Sequence, residues 1–133
     1  MGDGLSGPLI AVVDDDDAFV DLMREVLTDE GYRVVIGTAE EGAAAMVVRA
    51  RPALAILDLR MHEAGSGVTI LRALRDDPST VALPVLVCSA DLVFLRDHAD
   101  DLRALDCQTL PKPFDLDTLL DTIRAMLGTP PAS

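Results

Sequence analysis

Short runs that are apolar at every position alternate along this chain with longer segments whose apolar residues return every three or four positions. The runs are Leu9-Ile10-Ala11-Val12-Val13, Val34-Val35-Ile36, Leu54-Ala55-Ile56-Leu57, Pro84-Val85-Leu86-Val87-Cys88 and the weaker Cys107-Gln108-Thr109-Leu110. Strands of a parallel sheet are covered on both faces, so every position of such a strand is apolar, not every second one. The runs predict five buried strands.

The segments between them carry a helical period. Phe19, Leu22, Met23, Val26 and Leu27 make one stripe, which Gly31 can stop in a left-handed conformation. Thr38 followed by Glu41 reads as a capping box ahead of Ala43, Met46, Val47 and Ala50, with Pro52 ending this second helix. Ile70, Leu71 and Leu74 mark a third, closed by Asp77-Pro78. Leu92, Leu95, Ala99 and Leu102 mark a fourth with Asp91 as N-cap. Leu116, Leu119, Leu120, Ile123 and Leu127 mark a fifth, with Asp115 near its start and Gly128 after its end. The order βαβαβαβαβα, with no repeat and no linker, predicts an α/β fold: a doubly wound five-stranded parallel sheet in the order 2-1-3-4-5. Residues 1–8 are expected to be a flexible tail, 9–128 the domain and 129–133 a loose end.

Composition narrows the functions such a fold can serve. At 133 residues, half of them apolar, the chain has material for one core. Its net charge of −12 opposes nucleic-acid phosphates and anionic lipid, so direct DNA binding and membrane-surface binding are not expected. Four aromatic residues and no Trp leave no base-stacking surface. Neither a membrane-length apolar run nor a signal-peptide pattern is present, which predicts a cytoplasmic protein. Cys88 and Cys107 follow no metal spacing and read as buried small hydrophobes. Placed near opposite ends of neighbouring parallel strands, they are too far apart for a disulfide.

In doubly wound sheets, ligands bind at the carboxyl ends of the strands. There the first strand runs into Asp14-Asp15-Asp16-Asp17, the third ends at Asp58, the fourth at Ser89, and the fifth is followed by Lys112-Pro113. With strands one and three adjacent, Asp14, Asp15 and Asp58 converge in one pocket. Carboxylates ~4 Å apart repel by about 4 kcal/mol per pair at an effective dielectric of ~20, so the cluster must protonate or find a cation. Oxygen ligands on an open site favour Mg²⁺. Asp16 and Asp17 are expected to cap and begin the following helix instead.

These strand ends, Val12-Val13-Asp14-Asp15, Ile56-Leu57-Asp58, Val87-Cys88-Ser89-Ala90 and Leu110-Pro111-Lys112-Pro113-Phe114, together resemble the four signatures of the response-regulator receiver domain of two-component signalling. The resemblance spans residues 9–127 in order. It implies the flavodoxin-like fold and a Mg²⁺ cofactor, with Asp58 as phosphoacceptor, Asp15 as a direct metal ligand and Asp14 as a ligand acting mainly through water. The backbone carbonyl of Arg60 stands where the family supplies a third metal ligand. Ser89 resembles the switch hydroxyl, and Lys112 the lysine that pairs with the phosphoryl group, its bond to Pro113 being cis in the family. The implied partners are a sensor histidine kinase or histidine phosphotransfer protein and a downstream protein target.

The chain departs from the family pattern in two places. His62 stands where the family has Pro in the loop after Asp58, and that loop is one residue longer. Thr109 stands three residues before Lys112, where the family commonly carries Tyr or Phe. At the mouth of the pocket, Arg60 and Asp91 either pair across the access route or leave Asp91 as a plain helix cap. The leading expectation is a stand-alone phosphoacceptor with no enzyme activity beyond its own phosphorylation and dephosphorylation. A receiver-like interaction module with vestigial phosphorylation is the alternative. A small Mg²⁺-dependent phosphohydrolase is the third reading, weakened because its general-acid position holds Arg60.

Overall fold

A computed structural model of the chain describes residues 7–37, 42–58 and 66–128. Five strands, β1 (Leu9–Val13), β2 (Arg33–Gly37), β3 (Leu54–Asp58), β4 (Val85–Ser89) and β5 (Gln108–Pro111), form one sheet in the order β2-β1-β3-β4-β5. Every neighbouring pair is parallel. This is the doubly wound, flavodoxin-like arrangement that the alternating pattern predicts.

Continuous apolarity has its reason in the two faces. Ile10, Val12, Leu54, Ile56, Leu86 and Cys88 point to one side, against helices α1 (Asp17–Asp29) and α6 (Leu116–Leu127). Ala11, Val13, Ala55, Leu57, Val85 and Val87 point to the other, against α2 (Ala43–Ala50), α3 (Ser66–Asp76), α4 (Leu92–Asp97) and α5 (Ala99–Ala104). Alternate residues of each central strand therefore enter different cores, and a polar residue at either parity would be buried without a partner. The edge strands escape this. Thr109 and Gln108 on β5 are exposed and β2 is half-buried, so the expectation of two covered faces holds for β1, β3 and β4 alone. The β5 pattern looked weak because its strand is solvated.

One local expectation is corrected. The fourth helical segment is two helices, broken at His98 (φ −107°, ψ 15°). The His98 ring stacks on Phe94, 4.0 Å between centroids, and its Nδ1 lies 3.0 Å from the Phe94 carbonyl, to which it donates. The same carbonyl accepts the His98 backbone N–H. The second helix begins at Ala43 after Gly42, whose φ of 99° is open to glycine. Thr38 and Glu41 lie outside the described residues. At the amino end, the Gly7 and Pro8 carbonyls accept Arg33 Nε at 2.8 Å and the Arg33 backbone N–H at 3.0 Å; residues 1–6 lie outside the described set. Residues 129–133 lie outside the described set.

The two glycine helix stops are found where the pattern predicts them. Gly31 and Gly128 take left-handed conformations after the first and last helices, at φ 92° and 65°. No described helix is long and apolar enough to cross a membrane. Cys88 and Cys107 are free thiols, Cys88 buried and Cys107 half-buried. Register explains their separation: Gln108 pairs with Leu86, so Cys107 lies three rungs from Cys88.

Candidate functional site

Strand register gathers the strand-end residues. Val13 pairs with Leu57, so Asp14 emerges beside Asp58; Asp58 pairs with Cys88, next to Ser89; Ser89 pairs with Pro111, next to Lys112. The Lys112 backbone N–H then donates to the Ser89 carbonyl at 2.8 Å. Asp58, Ser89 and Lys112 line one open cleft with Asp16, Ala90, Asp91, Leu92 and Val93.

The cation that this acidic corner requires is Lys112. Its ammonium donates to Asp14 Oδ2 at 2.9 Å and stands 3.7 Å from Asp58 Oδ2. Asp14 is 2 % exposed, Asp58 14 % and Lys112 17 % by side chain, so this is a sparsely hydrated ion-pair cluster and not a surface bridge. The other Asp14 oxygen accepts the Asp16 backbone N–H at 2.9 Å. Asp16 in turn caps α1, accepting from Ala18 N at 3.0 Å and Phe19 N at 3.3 Å. The acidic run therefore divides as its chemistry suggests, Asp14 turning into the site and Asp16 serving the helix end. Asp17 is the first residue of α1.

Asp15 is half-buried. Among the described residues no group of three or more His, Cys, Asp or Glu side chains is arranged to hold a metal ion. The structure brings Asp14 and Asp58 together around Lys112. Hard oxygen donors remain the right chemistry for Mg²⁺, which commonly takes only one or two protein carboxylates and keeps several waters. Arg60 and His62 lie outside the described residues.

Ser89 is fully buried, and its Oγ accepts the Asp91 backbone N–H at 3.1 Å. Asp91 caps α4, accepting from Phe94 N at 2.8 Å, while its expected pairing with Arg60 falls outside the described residues. The Lys112–Pro113 peptide bond is cis. Beneath the site, burial pushes the Cys88 thiol up to about 12; Lys112 opposes that shift, and Asp14 and Asp58 add to it. A thiol so raised stays neutral and inert.

One neighbour of Lys112 was read from the sequence only as part of a helical stripe. Phe19 of α1 lies under the ammonium, 3.9 Å from nitrogen to ring centroid, and meets Phe114 edge to face at 6.1 Å. A ring three residues after a helix cap carries no sequence signal that distinguishes this place from the core.

Residues 10–124 match the family described as the response regulator receiver domain. Among curated proteins, Response regulator MprA of Mycobacterium leprae is 40 % identical over 119 residues, covering 89 % of this chain and 50 % of that protein. The DNA-binding dual master transcriptional regulator RpaA of Synechocystis is 33 % identical over 123 residues, covering 90 % and 49 %. The chain spans about half the length of these curated relatives. Among solved structures, a response regulator receiver protein from Pseudomonas putida superposes with a TM-score of 0.77 at 31 % identity, covering 90 % of this chain and 98 % of that one. The chemotaxis response regulator CheY4 of Vibrio cholerae shares the fold, with a TM-score of 0.80 at 24 % identity over 91 % and 99 %. With the fold, the strand-end residues and a family match across most of its length in agreement, this chain belongs to the response-regulator receiver family of two-component signalling.

Proposed function

We propose that this chain is a phosphoacceptor in which Asp58 takes a phosphoryl group from a phosphohistidine of a sensor histidine kinase or phosphotransfer protein, in a Mg²⁺-dependent reaction. The supporting observation is the Lys112 ammonium shared by Asp14 and Asp58 at the carboxyl end of the sheet. In the step, an Asp58 oxygen attacks phosphorus and the P–N bond breaks. The imidazole nitrogen keeps the bonding pair, and an acyl phosphate remains on Asp58. Charge on the transferring oxygens needs positive partners already in place. Lys112 is one.

Asp14, Asp15, Asp58 and the Arg60 carbonyl are the oxygen donors that would hold Mg²⁺, and the bound ion supplies further neutralisation of phosphoryl charge. Ser89 accepts one hydrogen bond through Oγ, which leaves its hydroxyl proton able to donate to a phosphoryl oxygen. That donation would draw the loop after β4 inward and change the surface a downstream protein reads. With Thr109 exposed on β5 and no ring there to turn inward, this loop carries the response.

Incubation with acetyl phosphate and Mg²⁺, read by intact mass, tests the reading. Wild type gains one phosphoryl mass, Asp58→Asn gains none, and chelation abolishes the gain. A wild-type chain that stays unlabelled would reduce the domain to an interaction module; a labelled Asn variant would move the acceptor elsewhere.

A further inference from the structure

Lys112 is the only lysine in the sequence, and its charged end has three walls. Asp14 accepts a hydrogen bond, Asp58 stands at ion-pair distance, and the third wall is the face of Phe19. The contacts close a circuit. Asp14 Oδ1 accepts from Asp16 N, Asp16 Oδ1 accepts from Phe19 N, the Phe19 ring faces the Lys112 ammonium, and Lys112 donates to Asp14 Oδ2. Phe114, two residues beyond Lys112, packs against the edge of the same ring. The aromatic face is thereby aimed from both α1 and the segment following β5.

We infer that Phe19 is a positioning residue for phosphoryl acceptance, seating the Lys112 ammonium by a cation–π contact. The inference rests on the reading of Asp58 as phosphoacceptor and Lys112 as its cationic partner. A ring suits this place for a physical reason. It attracts the cation through its quadrupole without a lone pair to capture an N–H, so the donors of Lys112 remain directed at carboxylate and phosphoryl oxygens. A polar residue would tie the ammonium down, and an aliphatic one would exclude water without attracting charge. The long lysine chain, rich in rotamers, would then spend less time facing Asp58.

The test combines a spectroscopic readout with a rescue. Because there is a single lysine, its ε-methylene resonances are unambiguous in a proton–carbon correlation spectrum. A ring 3.9 Å from the nitrogen displaces them upfield. The shift is expected in wild type and Phe19→Tyr and lost in Phe19→Leu. With acetyl phosphate and Mg²⁺, Phe19→Leu should label about two- to five-fold more slowly, and Phe19→Tyr should recover most of the rate. Melting temperatures of the two variants, measured alongside, identify any loss due to unfolding. The inference is overturned if wild type lacks the upfield shift, if folded Phe19→Leu labels at the wild-type rate, or if folded Phe19→Tyr is as slow as Phe19→Leu. An upfield shift in a wild-type chain that takes no label would instead overturn the phosphoacceptor reading, leaving the ring contact as packing alone.

Discussion

Lys112 and Asp14, ninety-eight positions apart, meet at 2.9 Å across the carboxyl end of the sheet, with the Asp14 side chain only 2 % exposed. A carboxylate this deep depends on its cation. Lys112→Met, which keeps the aliphatic stem, is expected to destabilise the fold by about 3 to 5 kcal/mol, the usual cost of stranding a buried charge. Adding Asp14→Asn should recover part of that loss, because the two residues act as a unit. Urea midpoints for the two single variants and the double variant measure the coupling. Strict additivity would mean that the pair is solvated.

The Cys88 thiol ionises near ~8.5 to 9 in an unfolded chain and is pushed up to about 12 in the fold, chiefly by burial. In the interval between, the unfolded chain releases its proton first, so each step upward in pH favours unfolding. The contribution is full below about pH 9 and is lost as pH rises toward 12. Cys88→Ala should therefore show a shallower alkaline loss of stability than wild type. Cys107 and Tyr32, also raised by burial, contribute equally to both proteins. Identical slopes would contradict the buried neutral thiol.

Arg75 joins three segments through backbone oxygens. Its guanidinium donates to Leu105 O at 2.7 Å, Thr80 O at 3.1 Å, Val81 O at 3.2 Å and Asp106 O at 3.1 Å. Asp106 sits at φ 56°, uncommon for a residue with a side chain, directly at this clamp. Arg75→Ala is expected to cost about 2 to 3 kcal/mol. Arg75→Lys should restore only a fraction, since one ammonium cannot reproduce a planar fork of donors. Urea unfolding of both variants decides it, and near-complete rescue by Lys would show that charge alone suffices.

Asp91 caps a helix of six residues, α4, too short to persist on its own propensity. Asp91→Ala should cost about 1 kcal/mol, and Asp91→Asn, which keeps the accepting oxygen, close to nothing. Melting curves of the two variants compare them. An Asn variant as unstable as Ala would indicate that the charge of Asp91, and not its cap, matters.

His98 and Phe19 show where a linear pattern stops being informative. Leu92, Leu95, Ala99 and Leu102 keep one helical spacing through His98, so periodicity reads a single helix. The break falls at His98, whose ring stacks on Phe94 and whose Nδ1 and backbone N–H share the Phe94 carbonyl. Phe19 likewise satisfies the core stripe of α1 and the seat of Lys112 at once. Hydrophobic spacing records that a side chain leaves water, not which side chain it meets.

By itself the sequence determined the fold class and the identity of the residues at the strand ends. Parallel strands buried on both faces must be apolar throughout, and their ends must be polar where the chain returns to solvent, so both features are written locally. Tertiary structure alone decided the partners. It placed Lys112 between Asp14 and Asp58, put the Phe19 ring beneath it, and drew Arg75 to carbonyls of the Leu105–Asp106 turn thirty positions away. These contacts depend on strand register and on distances between segments remote in the chain, and no spacing along one segment encodes either.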